Sequence, residues 1–196
     1  GNSKEVVAGI IAESEETTHL SIYDKDGNAV AVTTTLNGGY GSRTVVGGAG
    51  FLLNNEMDDF SVKPGVPNMY GAPGKRMLSS MTPTIVFKDN KPYLIVGTPG
   101  GTTITTSVFQ TLINILEFDM NAFDAVNKPK FHHQWLPDVI YVEPDFSTAV
   151  RSELEKMGYK VSSRGQIGRT EVIRILPDGK IEAVGDKRGD DHAAGY

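Results

Sequence analysis

The sequence contains no cysteine, and this absence excludes three kinds of chemistry. A chain without thiols forms no disulfide bonds, holds no thiolate-bound metal ion and has no cysteine nucleophile. Basic residues are also few: 19 Lys and Arg stand against 24 Asp and Glu, which gives a net charge of −5. Because nucleic-acid-binding surfaces need a basic stripe, we expect no nucleic-acid partner.

Long apolar runs are missing as well. No stretch of about 18 apolar residues occurs, so the sequence predicts no membrane span. The longest apolar patch, VVAGIIA at 6–12, is short and lacks a basic flank, so it makes a poor signal peptide. With 196 residues, of which 39 % are hydrophobic, the chain fits one domain or one subunit of a larger body.

What the sequence does contain is a regular series of strand and helix patterns. Two hairpins are predicted, one around the Asp26-Gly27 turn and one over 82–101 with its turn at 88–91. The stretch 68–83 between them is rich in Gly, Pro and Ser and predicts a loop. Apolar residues at helical spacing predict a helix over about 102–118.

The second half of the chain continues this alternation of helices and strands. The predicted elements are a short helix Ala122–Asn127, a strand in 138–143, a helix from the N-cap Ser147 to Gly158, and two strands around a turn at 177–179. Hairpins, then helices, then more strands indicate an α+β fold in which helices cover antiparallel sheets.

Thr17 is the first candidate for chemistry, because it stands between an acidic run and the first hairpin. An internal threonine hydroxyl is a weak nucleophile. A threonine at a chain terminus carries its own base, since the α-amino group has an ordinary pKa of about 7.7–8.0 and is partly neutral near pH 7. The residues alone favour the simpler interpretation, that Thr17 begins a strand.

The second candidate is GTPGG at 97–101, between a predicted strand and a predicted helix. Adjacent glycines let backbone N–H groups turn toward a ligand, and a helix N-terminus favours negative charge, which suits an oxyanion hole. The segment resembles a phosphate loop only loosely, because the lysine of that motif is missing. A tight strand-to-helix turn explains it equally well.

The third candidate is LLNNEMDDFS at 52–61, which groups Asn55, Glu56, Asp58 and Asp59. Such a cluster can hold an ammonium group, and paired carboxylates also serve in glycoside hydrolysis. The residues favour a solvated turn over either site.

The fourth candidate is FHHQWLPD at 131–138. His132 and His133 are adjacent, so on a strand they face opposite sides, which is poor geometry for a metal. We interpret the segment as structural, with aromatic packing by Trp135, and we expect no metal site.

Taken together, these segments resemble the small, C-terminal subunit of γ-glutamyltranspeptidases. The matching stretches follow the family's order and span 17–196: TTHLSIYDKDGNAV, TLNGGYGS, GFLLNNEMDDFSVKPGVPN, KRMLSSMTPTIV, GTPGG, FHHQWLPD and DDHAAGY. The resemblance implies an N-terminal nucleophile hydrolase fold, a four-layer αββα sandwich of which this chain would form the small-subunit half. It implies no cofactor.

The resemblance also implies a maturation step. The precursor would cut itself between Glu16 and Thr17, so that 1–16 is the tail of the large subunit or a propeptide segment and 17–196 is the small-subunit domain. The Thr17 hydroxyl would then attack γ-glutamyl amides such as glutathione, with its freed amine as the base. Water as the second reactant gives hydrolysis, and an amino-acid or peptide amine gives transfer.

Individual roles are implied for matching positions. Thr35 would orient Thr17, and Gly100 and Gly101 would supply the oxyanion-hole N–H groups. The implied substrate-binding residues are Asn37, Glu56, Asp59, Ser79 and Ser80, with Asp59 as the ammonium partner. The implied partner is the large subunit of the same precursor, which in the family supplies an arginine for the substrate carboxylate. Placement in the bacterial periplasm or outside the cell is implied too.

Two alternatives stay open. The chain could instead belong to a related acylase, in which the same machinery opens glutaryl-cephalosporins or polyglutamate. Segment 70–76 is shorter than the lid that the family usually has there, so we expect a more open pocket that admits bulkier substrates. Alternatively, the chain could be an inactive unprocessed fragment or a binding subunit, because sixteen residues precede Thr17 and an uncovered sheet edge favours self-association.

Overall fold

The computed structural model describes residues 16–196, so the predicted segment 1–16 lies outside the described residues except for Glu16. Its elements are β1 Thr17–Tyr23, β2 Ala29–Thr35, a 3-10 helix Glu56–Asp59, β3 Thr84–Lys88, β4 Lys91–Gly97, α1 Thr103–Leu116, α2 Ala122–Asn127, β5 Phe131–His132, β6 Ile140–Val142, α3 Thr148–Lys156, β7 Val161–Ser163, β8 Glu171–Ile175 and β9 Ile181–Val184. Both predicted hairpins and all three predicted helices are confirmed. The short strands β5 and β7 were not predicted.

Three sheets build the described part of the chain. The hairpin β1-β2 forms one sheet, a second has the order β3-β4-β8-β9, and a third has the order β5-β6-β7. Every pairing is antiparallel except β6 with β7. The α+β class with antiparallel sheets is therefore confirmed.

The four-stranded sheet lies between the hairpin and two helices. The hairpin packs against β3, β4 and β8, whereas α1 contacts β4 and α2 contacts β8 and β9. Hairpin, sheet and helices thus make three successive layers of the expected sandwich. In the part of the chain that the structure describes, no helix has the length and apolar character to cross a membrane.

The hydrophobic core fills the space between the four-stranded sheet and the helices. It consists of Leu94, Val96, Val108, Ile115, Ala122, Ala125, Val126 and Val172, all nearly inaccessible to solvent. The helical spacing of Val108 and Ile115 and the alternation of Leu94 and Val96 along β4 place these side chains on one boundary. Full burial of each large aliphatic side chain stabilises the fold by roughly 1.5–3 kcal/mol.

The hairpin β1-β2 shows the opposite arrangement of polarity. Its face toward the sheet carries small or polar side chains, among them Thr17, His19, Thr33 and Thr35. Its outer face carries Leu20, Ile22, Val30 and Val32, which are 38–51 % exposed. A sheet with one solvated face normally turns its polar side outward, so the described residues leave an apolar surface uncovered.

Helix ends follow the expected capping rules. Ser147 Oγ accepts a hydrogen bond from the N–H of Val150 at the start of α3, and Gly158, with φ of +93°, follows the last turn. Asn121 caps α2 in the same way through the N–H of Asp124 at 2.8 Å. These local contacts explain why the limits of both helices could be predicted closely.

Candidate active site

Thr17 lies at the beginning of β1 with its side chain on the face toward the sheet, where it is 9 % exposed. Its partner across the ladder is Thr35, the last residue of β2. The Thr35 hydroxyl donates a hydrogen bond to the carbonyl oxygen of Glu16 at 3.1 Å and accepts one from the N–H of Asn37 at 2.9 Å. This relay polarises the carbonyl group immediately before Thr17. The role predicted for Thr35, orienting Thr17 itself, stays a prediction.

The segment 97–101 turns sharply from β4 into α1. Gly100 has a φ of +133° and Gly101 a φ of +57°, values that residues with a Cβ rarely adopt. The carbonyls of both glycines accept hydrogen bonds from the first residues of α1, Thr103 and Ile104. Within residues 16–196, neither glycine N–H donates to a protein acceptor. Two N–H groups at a helix start are thus available for a developing negative charge.

Two cavities meet at Thr17. The narrow cavity encloses about 40 Å³, and the wide cavity encloses about 560 Å³. The narrow one is lined by Thr17, Thr35, Asn37, Asp59, Leu78, Ser79, Ser80, Met81, Gly101 and Ile104. The wide one is lined by Glu16, Thr17, Thr18, Thr34, Thr35, Leu36, Gly38, Gly39, Pro99, Gly100, Gln166, Gly168 and Arg169.

The structure therefore brings most of the predicted site residues together. Thr17, Thr35 and Gly101 join the predicted substrate-binding residues around the narrow cavity, and Gly100 lies in the wall of the wide one. Glu56 lines neither cavity, although it opens the same 3-10 helix that Asp59 ends.

Burial raises the pKa of the Glu56 and Asp59 carboxyls in that helix. For Glu56 the second cause is the charge of Asp59, and for Asp59 it is the charge of Asp58. Carboxylates that repel one another in a partly desolvated place gain from a nearby cation, which lowers their pKa again. The arrangement suits an ammonium group.

Asn55 connects the acidic helix to the end of β2. The sequence groups it with the acidic cluster but indicates no role of its own for it. Its Oδ1 accepts from the N–H of Gly38 at 2.8 Å, and its carbonyl accepts from Nδ2 of Asn37 at 3.3 Å. Its N–H donates to the carbonyl of Leu36 at 3.1 Å. Asn37 itself has a φ of +70°, so this network holds it in a left-handed conformation. Eighteen residues separate Asn37 and Asn55 in the chain, and no local pattern reveals their contact.

Ser79 and Ser80 approach the site from the other side. The Ser80 hydroxyl donates to the carbonyl of Gly101 at 2.8 Å, and the Ser80 carbonyl accepts from the hydroxyl of Thr105 at 3.2 Å. These bonds fix the predicted loop 68–83 against the start of α1. The described residues 70–76 line neither cavity.

His19 is a buried side chain near the site that sequence reasoning missed. Its ring hydrogen-bonds Thr33 Oγ1 at 2.7 Å and Ser21 Oγ at 3.0 Å, and burial lowers its pKa to about 4. The ring occupies space beside Gly97 that any Cβ there would fill. A neutral imidazole therefore sets the distance between the strand of Thr17 and the GTPGG segment.

A buried ion network supports the far wall of the wide cavity. Glu143 binds Arg188 at 2.6 Å and accepts from the N–H groups of Lys130 and Ile167, and Asp186 accepts from the N–H of Thr170 at 2.8 Å. Burial alone would raise the pKa of Glu143, but the bonds from Arg188 and the two backbone groups hold it below its usual value. These contacts join residues far apart in sequence, so no sequence pattern predicted them.

The histidine pair faces opposite sides, as its spacing predicted. His132 is buried and hydrogen-bonds Thr106 and Gln134, whereas His133 pairs with Asp138 at 3.1 Å. The predicted aromatic packing by Trp135 is wrong, because Trp135 is 43 % exposed. The aromatic contact of this segment is between Phe131 and Phe146 instead.

Known proteins resemble this chain in both sequence and structure. A family model described as Gamma-glutamyltranspeptidase matches residues 3–196. The Glutathione hydrolase proenzyme of Escherichia coli (strain K12) is 50 % identical over 206 residues, which cover 99 % of this chain and 36 % of that protein. The chain thus spans about a third of the length of the curated relatives it matches.

Two solved structures extend the comparison. Gamma-glutamyltranspeptidase from Pseudomonas nitroreducens complexed with L-DON gives a TM-score of 0.82 at 46 % identity, over 91 % of this chain and 99 % of that chain. Cephalosporin acylase from Bacillus halodurans gives a TM-score of 0.81 at 28 % identity, over 91 % of this chain and 34 % of that chain. The N-terminal nucleophile hydrolase fold predicted from the resemblance is confirmed.

Proposed function

The chain belongs to the γ-glutamyltranspeptidase family, and we propose that it is the small-subunit part of an enzyme that hydrolyses and transfers γ-glutamyl groups. The observation that carries the proposal is the position of Thr17. It lies where two cavities meet, and the residues that line these cavities with it include Gly100 and Gly101 at the start of α1, Asp59, Asn37, Ser79 and Ser80. A nucleophile, an oxyanion site and a polar subsite thus converge on one residue.

Maturation is the first reaction. The Thr17 hydroxyl attacks the Glu16 carbonyl carbon, the C–N bond breaks, and the hydroxyl proton ends on the new α-amine. Water then hydrolyses the ester, which releases the Glu16 carboxylate and restores the hydroxyl. Thr35, backed by the N–H of Asn37, stabilises the negative charge that develops on the Glu16 oxygen.

Turnover uses the same hydroxyl on a second carbonyl. The α-amine of Thr17 takes the hydroxyl proton as Oγ attacks the γ-glutamyl carbon, and it delivers that proton to the departing amine. The N–H groups of Gly100 and Gly101 stabilise the oxyanion, at about 3–4 kcal/mol for one lost donor in comparable sites. Water or an amine then attacks the ester, and Thr17 Oγ leaves with a proton from the attacking group.

The glutamyl head group fits the narrow cavity by charge. Its ammonium lies against Asp59, with Glu56 adding negative charge from the same helix. Its carboxylate accepts from the Ser79 hydroxyl, and from the Ser80 hydroxyl when the latter turns away from the Gly101 carbonyl to which it donates in the free site. Asn37 adds an amide on the β2 side. No lysine or arginine is among the described residues that line this cavity, which supports the proposal that a cation for the carboxylate comes from the large subunit.

The outer face of the hairpin supports the same partner. Leu20, Ile22, Val30 and Val32 form an exposed apolar stripe on the strand that begins with Thr17. Covering such a surface contributes roughly 25 cal/mol per Å² of apolar area removed from water. We propose that the large subunit of the same precursor covers this stripe and completes the sandwich.

Acylase activity on glutaryl-cephalosporins is the second candidate, and the similarity to a cephalosporin acylase favours it. A glutaryl group, however, has no amine. Asp59 lines the narrow cavity, and burial followed by the charge of Asp58 raises its pKa; a nearby ammonium would stabilise this carboxylate, whereas a methylene would not. The acidic helix therefore favours γ-glutamyl over glutaryl substrates. Because 70–76 lines neither cavity, we also propose that the site admits polymeric γ-glutamate.

The test uses the full-length precursor that contains this chain. Intact mass after incubation near pH 8 should show a species that begins at Thr17, and this species should release p-nitroaniline from γ-glutamyl-p-nitroanilide. Thr17→Ala should abolish both. A precursor that stays uncut and inactive would support the alternative of an unprocessed fragment or binding subunit. Faster turnover of glutaryl-p-nitroanilide than of the γ-glutamyl compound would favour the acylase.

Placement outside the cytoplasm stays part of the proposal. Fractionation of bacteria that express the full-length precursor would test it, with the mature chain expected in the periplasmic or culture fraction. Recovery in the cytoplasmic fraction alone would contradict it. Activity on polymeric γ-glutamate that is no higher than that of a relative with a full lid would argue against the open-pocket proposal.

A further inference from the structure

We propose that the wide cavity receives the leaving amine and the acceptor amine, and that Arg169 binds the carboxylate of an acceptor amino acid or short peptide. This inference rests on the function proposed for Thr17. Thr17 and Thr35 border both cavities, so a head group held in the narrow cavity places its scissile bond at their junction. The departing group then extends into the wide cavity, which at about 560 Å³ has room for a dipeptide.

The charges around the wide cavity point to an anionic group. Among the described residues of its wall, Glu16 and Arg169 are the charged ones, and the others are glycines, threonines, Leu36, Pro99 and Gln166. Glu16 is the residue that maturation separates from Thr17. Once Glu16 belongs to the other subunit, Arg169 is the one charged side chain that the small subunit contributes to the described wall. Amines that are amino acids or peptides bear a carboxylate that this charge complements.

Arg169 is held in place rather than free to move. Its backbone N–H donates to the hydroxyl of Thr98 at 2.7 Å. Thr98 is fully buried and precedes Pro99, which lines the same cavity. Its Nη2 pairs with Asp191 at 3.3 Å, and its Cδ lies so close to Gly189 that a Cβ there would approach to 2.8 Å. The side chain is nevertheless 35 % exposed. A guanidinium has five N–H donors in a planar fork, so pairing with Asp191 at one edge leaves donors for a second carboxylate.

A purely structural role for Arg169, as the ion-pair partner of Asp191, makes a different prediction. In that case the loss of Arg169 would affect all acceptors equally, and the loss of Asp191 would have the same effect. Recognition of a carboxylate instead requires that the effect depend on whether the acceptor carries one.

The experiment uses the mature two-subunit enzyme made from the full-length precursor, with γ-glutamyl-p-nitroanilide as the donor. Glycylglycine and glycylglycinamide are compared as acceptors, because they differ in the terminal carboxylate. In the wild type we expect a KM for the amide at least about tenfold above that for glycylglycine, as for the loss of one charged hydrogen bond. In Arg169→Gln this ratio should fall to near one, Arg169→Lys should retain part of it, and Asp191→Asn should retain most of it.

Each outcome decides the proposal. Equal KM values for the two acceptors in the wild type would overturn it without any variant, which matters if Arg169→Gln does not mature. A ratio unchanged in Arg169→Gln, or lost equally in Asp191→Asn, would also overturn it. Failure of the wild type to release p-nitroaniline would instead overturn the function proposed for Thr17.

Discussion

The hairpin β1-β2 and the strands β4 and β8 are both antiparallel pairs, yet they use their faces in opposite ways. In the pair β4-β8, Leu94, Val96 and Val172 lie in a dry core against the helices. In the hairpin, the face toward the sheet holds hydroxyls and an imidazole, and the aliphatic residues lie outside. The pair β4-β8 contributes to the hydrophobic core, whereas the hairpin carries polar side chains on its inner face and an uncovered apolar surface on its outer face.

Removing one hydroxyl from the inner face should have the largest effect. Thr35→Val keeps the shape of the side chain but loses the hydrogen bond to the Glu16 carbonyl oxygen. We expect precursor cleavage to slow by about 10²–10³-fold, as when an oxyanion donor is removed elsewhere. The rate is measured by intact mass over time. Thr148→Ala, at the exposed start of α3, is the control, and cleavage of Thr35→Val at the wild-type rate would contradict the relay.

Filling the space between the two regions should come next. In Gly97→Ala the added Cβ overlaps the His19 ring, which must move and carry β1 with it. Overpacking of this kind costs roughly 1–3 kcal/mol. We expect the upper end because hydrogen bonds to Thr33 and Ser21 hold the His19 ring in place. Urea unfolding of the mature enzyme measures the change. Gly47→Ala, where nothing lies within 4 Å of the added Cβ, should leave stability unchanged. A stable Gly97→Ala protein that cleaves normally would show that His19 does not set the spacing.

A matched pair of truncations compares the faces directly. Val172→Ala removes two methyl groups from a residue that is 1 % exposed, and Val32→Ala removes them from one that is 38 % exposed. We expect a loss of about 2 kcal/mol in unfolding free energy for the first and less than about 0.5 kcal/mol for the second in the isolated chain. Val32→Ala should instead weaken association with the large subunit, measured by titration calorimetry. Equal losses in the isolated chain would mean that the outer face is already covered there.

The smallest effect should be a pH dependence of stability that comes from His19. Its pKa falls from the ordinary value of 6.5 to about 4 in the folded chain because burial disfavours the charged ring. The folded state thus binds fewer protons than the unfolded state between these values. The contribution of the neutral His19 ring to the free energy of unfolding is therefore complete above pH 6.5 and is lost as the pH falls toward 4.

Glu171 gives a pH dependence of stability of the opposite sign, since burial and then the charge of Asp191 raise its pKa to about 7. Its contribution is complete below its ordinary value of 4.5 and is lost as the pH rises through 7. Urea unfolding of the wild type and of His19→Asn from pH 7 to 4 separates the contribution of His19 from that of Glu171. A difference between these proteins that stays constant with pH would exclude titration of His19.

Local structure could be predicted from the sequence because its causes are local. The Asp26-Gly27 turn, the cap at Ser147 and the apolar spacing of α1 each lie within a few residues of the element that they define. The strands β5 and β7 have two and three residues and depend on pairing with β6. Such short strands carry no periodicity of their own, so they could not be predicted.

The residues of the candidate site also differ in whether local sequence could predict them. Its residues were predicted only through a family resemblance, since neither Thr17 nor the GTPGG segment could be distinguished from ordinary strand and turn residues. The contacts of Asn55 with Gly38, of His19 with Gly97 and of Glu143 with Ile167 and Arg188 join positions 17 to 78 residues apart, and no spacing rule reaches that far. The polarity of the hairpin was also beyond prediction, because alternation shows that a strand has two faces but not which one the rest of the protein covers.

The bond from Thr35 to the Glu16 oxygen has a consequence for the order of events in the life of the enzyme. On the proposed maturation, cleavage after Glu16 would remove the acceptor to which this hydroxyl donates in the precursor. The side chain stays where the ladder puts it, opposite Thr17, with the N–H of Asn37 still donating to its oxygen. The predicted role of Thr35 toward Thr17 then follows, because its O–H group would be free to donate to the new α-amine. On this proposal Thr35 acts twice in succession, first in forming the nucleophile and afterwards in orienting it.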